Sequence, residues 1–360
     1  MISVSLCMIV KNEEDVLGRC LKSAAALVDE IIVVDTGSTD RTRETASKFT
    51  DQIFDFPWRD DFAAARNESF SHASMDYCLW LDADDILLEA DQAAFLALKE
   101  TLDPAVAVVM APYHTGFDPN GSVTFSYYRE RLIKNNAGMR WEGAVHEAVT
   151  PVGKVFYGDF AVTHQKTRPS DPDRNLRIYQ AQLDNGKTLD PRQQFYYGRE
   201  LYYHQRYEDA LLVFEQFLAD GRGWVENNID ACCHCAYCHE HLDHPEAALA
   251  ALFRTFSYDR PRAEVCCELG RWFFERARYD QAAYWYALAL TCPRDDCRGG
   301  FVSPDCYGYL PCIQLCVCHS RLGNLERARS FNELAAAYKP DSPAVLHNRD
   351  WFQSLPAQPA

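Results

Sequence analysis

The residues best suited to chemistry are the acids of Asp82-Ala83-Asp84-Asp85, which follow the apolar run Cys78–Leu81. Because side chains alternate along an extended chain, Asp82 and Asp84 should point the same way. Two carboxylates at one strand end repel each other unless a cation lies between them, and Mg²⁺ or Mn²⁺ prefers oxygen ligands. The spacing is therefore compatible with a divalent-cation site, although by itself it does not distinguish one from an acidic turn. The alternative is a solvated acidic turn in which Asp85 caps the next helix.

Cysteines form a second group of potential ligands, since the chain contains 15 of them. Cys232, Cys235 and Cys238 recur at steps of three and would lie along one face of a helix. The C-x-x-C spacing is compatible with zinc. However, Cys235 also occupies a small-residue position of a helical repeat, where a buried thiol packs well. We favour packing and keep structural zinc as the alternative.

The elements that must position the acidic motif are predicted from the hydrophobic pattern of residues 1–113. Strands and helices alternate there, with strands at 2–10, 30–35, 52–56, 78–81 and 105–113 and helices at 12–26, 62–73 and 91–102. Near-continuous apolar runs are typical of parallel strands covered on both faces. The order therefore predicts a mostly parallel α/β sheet, with the motif at a strand end where such sheets bind ligands. The aromatic-rich residues 114–168 are expected to form antiparallel ribbons at one end of the sheet.

From about Asp190 the sequence is helical and repetitive. Four segments have a small residue followed twelve positions later by Ala, at Gly198 and Ala210, Cys235 and Ala247, Gly270 and Ala282, and Cys316 and Ala328. The alanines are 37, 35 and 46 residues apart, against a tetratricopeptide period of about 34. We assign the excess in the last spacing to a loop within 291–311.

Four further runs carry a resemblance to a known family. They are SLCMIVKNEE at 5–14, IIVVDTGSTD at 31–40, AARN at 64–67 and WLDADD at 80–85. They resemble the family-two glycosyltransferases of GT-A fold. The run WEGAVHE at 141–147 and the helical repeats narrow the resemblance to the tetratricopeptide-containing branch, which includes the sublancin-type peptide S-glycosyltransferases.

The resemblance and the pattern together predict the domain organisation. We expect an α/β GT-A (nucleotide-diphospho-sugar transferase) domain, followed by an all-α tetratricopeptide-type helical repeat domain. The expected bounds are 1–168 for the catalytic domain, 169–189 for a helical linker, 190–345 for the repeats and 346–360 for a C-terminal tail.

The resemblance also implies which residues bind the nucleotide. In GT-A enzymes the end of the first strand and the turn after it, here Val10, Asn12 and Glu13, hold the nucleotide. Asp35 would accept a hydrogen bond from uracil N3–H. Gly37 would let the backbone approach the ligand closely.

The remaining implied roles concern the donor sugar, the metal and the reaction. Arg66 would reach the nucleotide or its diphosphate as a planar cation, and the alternative is a surface arginine paired with Asp60 or Asp61. Asp82 would hold the ribose. The resemblance further implies that Asp84 and His164 bind the metal. Glu147 would be the catalytic base of an inverting enzyme. The acceptor side would include Trp141, Gly143 and His146.

Composition limits the partners. The 36 basic residues against 52 acidic ones give a net charge of -16, which disfavours nucleic acid. The sequence contains no apolar stretch of about 18 residues, so no membrane span is predicted. The start of the chain lacks the pattern of a signal peptide, so we expect a cytoplasmic enzyme with reduced thiols.

The expected partners are a UDP-sugar as donor, Mg²⁺ or Mn²⁺ as cofactor, and a peptide or protein acceptor bound by the repeats, since repeat arrays offer extended concave surfaces. One alternative is a saccharide or lipid-linked acceptor. A second is a non-catalytic scaffold, which the presence of Asp82, Asp84, Glu147 and His164 disfavours. A monomer and a homodimer both stay open.

Overall fold

The computed structural model describes residues 1–118, 121, 123–167 and 171–355. The chain divides into two compact units, unit 1 at Met1–Tyr197 and unit 2 at Gly198–Ala360. The predicted boundary between 168 and 169, and residues 356–360 of the predicted tail, lie outside the described residues.

Unit 1 alternates strands and helices and then continues mainly as strands. Its elements are β1 (Val4–Val10), α1 (Leu17–Ala24), β2 (Glu30–Asp35), α2 (Thr42–Ala46), β3 (Ile53–Asp55), α3 (Phe62–Ser71), β4 (Tyr77–Trp80), β5 (Asp85–Ile86), α4 (Glu89–Thr101), β6 (Val106–Phe117), β7 (Val123–Lys134), β8 (Trp141–Glu142), β9 (Ala148–Val149), β10 (Lys154–Tyr157), β11 (Val162–His164), α5 (Arg174–Asp184) and α6 (Pro191–Tyr203), which continues past the division.

These strands form a nine-stranded sheet in the order β3-β2-β1-β4-β7-β6-β11-β5, with β10 also paired to β6. The first four strands in this order are parallel, as predicted. The predicted antiparallel ribbon does not close one end of the sheet, because β7 pairs with both β4 and β6 in its interior. Leu132 and Ile133 explain this position: they are adjacent, point to opposite faces and are 0% and 2% exposed.

Both faces of the central strand β1 are covered. Val4, Leu6 and Met8 on one face share a core cluster with residues of α1. Cys7 on the other face packs in a separate cluster with Ile32. Because the strands on both sides of β1 run parallel to it, the carboxyl ends of β1, β2 and β4 meet at one edge of the sheet.

Unit 2 consists of helices joined by short turns, except that residues 290–308 form a longer connection with two short 3₁₀ helices, in the region of the predicted loop. After α6 the helices are α7 (Tyr207–Asp220), α8 (Val225–His241), α9 (Pro245–Arg254), α10 (Ala263–Glu275), α11 (Tyr279–Ala289), α12 (Tyr309–Arg321), α13 (Leu325–Tyr338) and α14 (Pro343–Ser354). Helix α14 therefore includes most of the described part of the predicted tail. None of the helices that the structure describes is long and apolar enough to cross a membrane.

The four repeats share one turn geometry. A residue with positive φ stands two positions before the second helix of each pair, at Gln205, Asp243, Ala277 and Gly323. A fully buried alanine follows three residues into that helix, at Ala210, Ala248, Ala282 and Ala328. The assignment of Ala247 to the second repeat is thus wrong by one residue, because the turn at Asp243 sets the start of α9. The small residue twelve positions before Ala248 is Ala236, which is 1% exposed.

Small residues in the first helix of a pair make room for aromatic rings of the second. A Cβ at Gly270 would stand 2.7 Å from the ring of Tyr286, and a Cβ at Gly198 would stand 2.7 Å from the ring of Phe214. Such contacts let two helices approach closely, as interior packing density requires. They make unit 2 a tetratricopeptide-type array of helix pairs.

The cysteines of α8 lie in the interior of unit 2. Cys232, Cys235 and Cys238 are at most 1% exposed, and burial raises the pKa of Cys232 to about 12. No Cys or His of unit 2, within the described part of the chain, belongs to a group of three close enough to hold a metal ion. The thiols occupy the positions of small apolar residues.

Candidate active site

The first part of the candidate site is the turn after β2. The carboxylate of Asp35 is 3% exposed. Its Oδ1 accepts hydrogen bonds from the backbone N–H of Gly37 at 3.2 Å and of Ser38 at 2.9 Å. The guanidinium of Arg43 lies 3.2 Å from its Oδ2. Arg43 was not predicted, since no sequence motif links a residue of α2 to the end of β2.

The turn after β1 lies against the same segment. The carbonyl of Val10 accepts a hydrogen bond from Thr36 N–H at 2.9 Å. Asn12, at φ 55°, accepts one from Thr39 N–H at 2.7 Å through its Oδ1. The backbone N–H of Glu13 donates to Thr42 Oγ1 at 2.7 Å. Five of the residues predicted to bind the nucleotide-sugar therefore stand together at the carboxyl edge of β1 and β2, namely Val10, Asn12, Glu13, Asp35 and Gly37.

The acidic motif stands at the same edge, after β4. Asp85 begins β5 and pairs with His164 of β11, and α4 begins only at Glu89. The alternative in which Asp85 caps a helix is therefore wrong. The antiparallel pairing of β5 with β11 also brings Gln165 N–H to 2.9 Å from the carbonyl of Asp84. This pairing holds His164 next to the motif.

The acidic motif and the histidine beside it form a group of potential metal ligands, namely Asp84, Asp85 and His164. Within the described residues they form the one group of His, Cys, Asp and Glu whose ligand atoms all lie within 4.8 Å of one another. His164 Nδ1 is 3.5 Å from Asp84 Oδ1 and 3.3 Å from Asp85 Oδ1. Carboxylate oxygens suit Mg²⁺ or Mn²⁺, and a neutral imidazole nitrogen is a common ligand of metal ions.

The electrostatics of this group favour a positive charge nearby. Burial raises the pKa of Asp84; His164 partly offsets this, and the charges of Asp82 and Asp85 raise it further. Burial lowers the pKa of His164, but the hydrogen bond to Asp85 and the charge of Asp84 outweigh it and raise that pKa overall. A cation held between the groups would relieve both effects. The residues present therefore fit a divalent cation.

Arg66 joins the acidic motif to Glu147. Its Nη2 is 2.7 Å from Asp82 Oδ1, and its Nε is 2.7 Å from Glu147 Oε1. The guanidinium lies 4.5 Å from the ring centroid of Trp80 and 5.0 Å from that of Trp141. Burial would raise the pKa of Asp82, but Arg66 and the other nearby arginines outweigh it and lower it to about 2. The structure thus brings Asp82 and Glu147 together on the buried guanidinium of Arg66.

The alternative prediction for Arg66, a surface residue paired with Asp60 or Asp61, is wrong. Asp61 instead caps α3 by accepting a hydrogen bond from Ala64 N–H at 2.9 Å. Asp60 accepts one from Trp58 Nε1 at 2.7 Å. The helical spacing of Ala63, Arg66 and Ser69, which are all buried, was the available sign that Arg66 faces inward.

Arg131 and Tyr113 complete the network and were not predicted. Arg131 is fully buried, and its Nη1 lies 3.1 Å from Asp85 Oδ2. The Cζ of its guanidinium lies 3.8 Å from the ring centroid of Trp80. The hydroxyl of Tyr113 is 2.8 Å from Asp85 Oδ1 and 2.9 Å from His164 Nδ1. An arginine directly before the apolar pair Leu132 and Ile133 was the one sequence signal available for Arg131.

The run from Trp141 to Glu147 shapes the other side of the site. Trp141 is 2% exposed and contacts Trp80 edge-on at 5.1 Å, so most of its ring packs in the interior, and the residue also lines the cleft described below. Gly143 has φ 94°, and a Cβ there would come within 3.3 Å of the carbonyl of Val145. Only glycine adopts this conformation readily. The tight loop aims Glu147 back at Arg66.

His146 belongs to the same loop but faces α6. Its ring stacks on Tyr196 at 4.2 Å, and its carbonyl accepts a hydrogen bond from Arg192 Nε at 3.2 Å. A cleft of about 540 Å³ opens nearby between α3, β8 and the segment before α6, with Gly143 and Lys187 among its lining residues. The predicted acceptor-side residues are thus divided among the interior, the loop and this cleft.

The family of unit 1 follows from this geometry and from its relatives. Residues 5–150 match the family model described as Glycosyl transferase family 2. The chain therefore carries a family 2 glycosyltransferase domain, and the predicted resemblance is confirmed.

Three relatives add detail. The chain is 39% identical over 150 residues to a TPR repeat-containing protein of Synechococcus elongatus, covering 41% of this chain and 36% of that protein. It is 26% identical over 217 residues to the prophage-derived glycosyltransferase SunS of Bacillus subtilis, covering 57% and 50%. It is 30% identical over 161 residues to the lipopolysaccharide core biosynthesis glycosyltransferase LpsC of Rhizobium meliloti, covering 42% and 58%. The chain spans less than two thirds of the length of each of these relatives.

Proposed function

We propose that the protein is an inverting, metal-dependent glycosyltransferase that moves a sugar from a UDP-sugar to a Ser, Thr or Cys side chain of a peptide or protein. The observation that carries this proposal is the pair of 2.7 Å contacts from Arg66 to Asp82 and Glu147. They put an acid able to act as a base directly beside the motif at the end of β4. The family match and the glycosyltransferase relatives support the reaction class.

The carboxyl edge of the sheet binds the donor in this proposal. Asp35 and Gly37 hold the uracil of the nucleotide, and Asp82 holds its ribose. Asp84 and His164 would hold the divalent cation, which would neutralise the charge of the diphosphate leaving group. Gathering these groups on rigid strand ends fixes the donor without a cost for ordering loops.

Glu147 acts as the general base. It takes the proton of the acceptor hydroxyl or thiol. At the same time the acceptor oxygen or sulfur bonds to the anomeric carbon and the bond from that carbon to UDP breaks, so the configuration at the anomeric carbon is inverted. Arg66 orients the carboxylate through Oε1, a role that the 2.7 Å contact supports. The developing sugar cation lies near carboxylates, which stabilise an oxocarbenium-like transition state.

Unit 2 binds the acceptor in this proposal. Arrays of helix pairs offer extended surfaces suited to unfolded peptide segments, and one relative is itself a TPR repeat-containing protein. Buried cysteines such as Cys232, Cys235 and Cys238 are free thiols, which supports action in a reducing compartment such as the cytoplasm.

The similarity to LpsC favours one second candidate, a saccharide or lipid-linked acceptor. The two candidates differ in what unit 2 does. A chain ended after Tyr203 keeps all of unit 1, and a cooperative melt would first show whether it folds. If unit 2 selects the acceptor, this chain hydrolyses UDP-sugar slowly but fails to glycosylate peptides that the full chain modifies. Equal peptide modification by both chains would instead favour the saccharide or lipid-linked acceptor.

The donor is tested separately. UDP-sugars are added one at a time with Mn²⁺ and the midpoint of thermal unfolding is followed, since a ligand that binds the folded state alone raises it. We expect one UDP-sugar to stabilise more than UDP does. No stabilisation by any UDP-sugar or by UDP, with Mn²⁺ present, would contradict the proposed donor class.

A further inference from the structure

The inference concerns the proton on the ring of His164 and rests on the proposed metal site. Four groups surround the carboxylate of Asp85, which is 0% exposed. Its Oδ2 accepts hydrogen bonds from Arg131 at 3.1 Å and from Asp82 N–H at 3.1 Å. Its Oδ1 lies 2.8 Å from the Tyr113 hydroxyl and 3.3 Å from His164 Nδ1. Asp85 is thus saturated by neighbours of its own chain.

The hydrogen bonds of these groups determine where the hydrogens lie. Both oxygens of Asp85 act as acceptors: Oδ2 accepts from Arg131 and from Asp82 N–H, and Oδ1 accepts from the Tyr113 hydroxyl. Tyr113 has one hydroxyl hydrogen, and Asp85 Oδ1 accepts it. The Tyr113 oxygen can then only accept from His164 Nδ1, at 2.9 Å. His164 must therefore carry its hydrogen on Nδ1.

We infer that Tyr113 and Asp85 are positioning residues that hold neutral His164 with its hydrogen on Nδ1, so that Nε2 is the atom it offers to a divalent cation. Asp85, although close to Asp84 and His164, is then not a ligand. A metal-binding histidine usually donates its other N–H to a carboxylate or a carbonyl, which orients the ring and raises its basicity. Here a tyrosine hydroxyl connects the histidine to the carboxylate.

The hydrogen position is measured without any metal. ¹⁵N NMR of the metal-free full chain at alkaline pH, where the ring is neutral, distinguishes the two tautomers, and His164→Asn identifies the signal among the 11 histidines. We expect a protonated Nδ1 in the wild-type protein. In Tyr113→Phe we expect a mixture of tautomers, because the closest acceptor is lost. An unprotonated Nδ1 in the wild-type protein would overturn the inference.

Metal affinity is the second readout. Binding of Mn²⁺ alone, followed by the EPR signal of the free ion, should weaken by roughly 10- to 100-fold in Tyr113→Phe, as for other changes behind a metal-binding histidine. The control is Tyr127→Phe, which removes the same hydroxyl from a ring 5.6 Å away and should leave both readouts unchanged. Wild-type affinity in Tyr113→Phe would overturn the positioning role.

The two proposals fail in different ways. If the wild-type protein binds no Mn²⁺, the proposed metal dependence fails, while the ¹⁵N measurement still decides the tautomer. Tyr113→Phe is preferred over Asp85→Asn because the latter leaves Arg131 buried without a counter-charge, which is expected to unfold the chain.

Discussion

The strand-end site of unit 1 and the helix pairs of unit 2 are assembled by different means. The site buries charges, with Asp85 and Arg131 fully buried and Arg66 at 5% exposure, and each is paired with an opposite charge. The helix pairs are held together by close packing, as where the ring of Tyr286 packs directly against Gly270. A buried charge is costly unless it is paired, so its presence indicates a use beyond stability.

This difference predicts different responses to substitution. Changes in the network should alter chemistry or metal binding while the fold survives, provided that no buried charge loses its partner. Changes at the small-residue positions should alter stability and leave chemistry intact. Four predictions sharpen this contrast.

The largest effect should follow removal of the cation. Chelation by EDTA is expected to abolish transfer, and Mg²⁺ or Mn²⁺ should restore it. Asp84→Asn should lower the transfer rate by roughly 10³-fold, since the cation supplies several kcal/mol of charge stabilisation. UDP binding in the presence of Mn²⁺ should weaken in parallel. Asp60→Asn, an acid outside the network, is the matched control. Full transfer in EDTA would refute the site.

Removal of the base should come next. Glu147→Gln keeps size and hydrogen bonding but cannot take a proton, so transfer should fall roughly 10²- to 10⁴-fold with near-normal affinity for the donor. A Cys acceptor should blunt the loss, because a thiol ionises partly without help. The measurement is single-turnover transfer at saturating donor. A collapse of donor affinity with an intact saturated rate would make Glu147 a binding residue.

The packing of unit 2 is tested by one added methyl group. Gly270→Ala should lower the free energy of unfolding by about 1–3 kcal/mol, because its Cβ would overlap Tyr286, while slow hydrolysis of UDP-sugar by the folded protein is unchanged. Gly18→Ala in α1 is the control: the nearest atom lies 3.4 Å from its Cβ, and Ala favours a helix over Gly by about 1 kcal/mol. Equal stability of the two variants in denaturant would contradict the packing model.

The smallest effect concerns the cysteines. At pH 8 a thiol reagent should label the cysteines of the denatured chain quickly, which gives the reference rate for the folded chain. Cys232 should react far more slowly, because burial raises its pKa to about 12 and little thiolate forms. Chelators should leave the melting temperature of unit 2 unchanged. Bound zinc in the purified protein, released together with rapid labelling of Cys232, would restore the zinc alternative.

Local pattern was sufficient for much of the framework. The bounds of β2 at Glu30–Asp35 are as predicted, because apolar runs depend on neighbouring residues. The family resemblance, confirmed by the match over residues 5–150, likewise depends on short contiguous runs. The register of the second repeat was missed because Asp243, unlike a glycine, does not signal a positive φ in the sequence.

The sequence by itself determined the class of domain, the order of strands and helices and the residues able to bind a donor. Tertiary structure decided which of them meet. Tyr113, Asp85 and His164 come from β6, β5 and β11, and Arg131 reaches them because β7 inserts between β4 and β6. Pairing between distant strands depends on how whole faces are buried together, and no local spacing encodes it. For that reason the ion pairs of Arg66 and the hydrogen bonds of Asp85 became visible only in the folded chain.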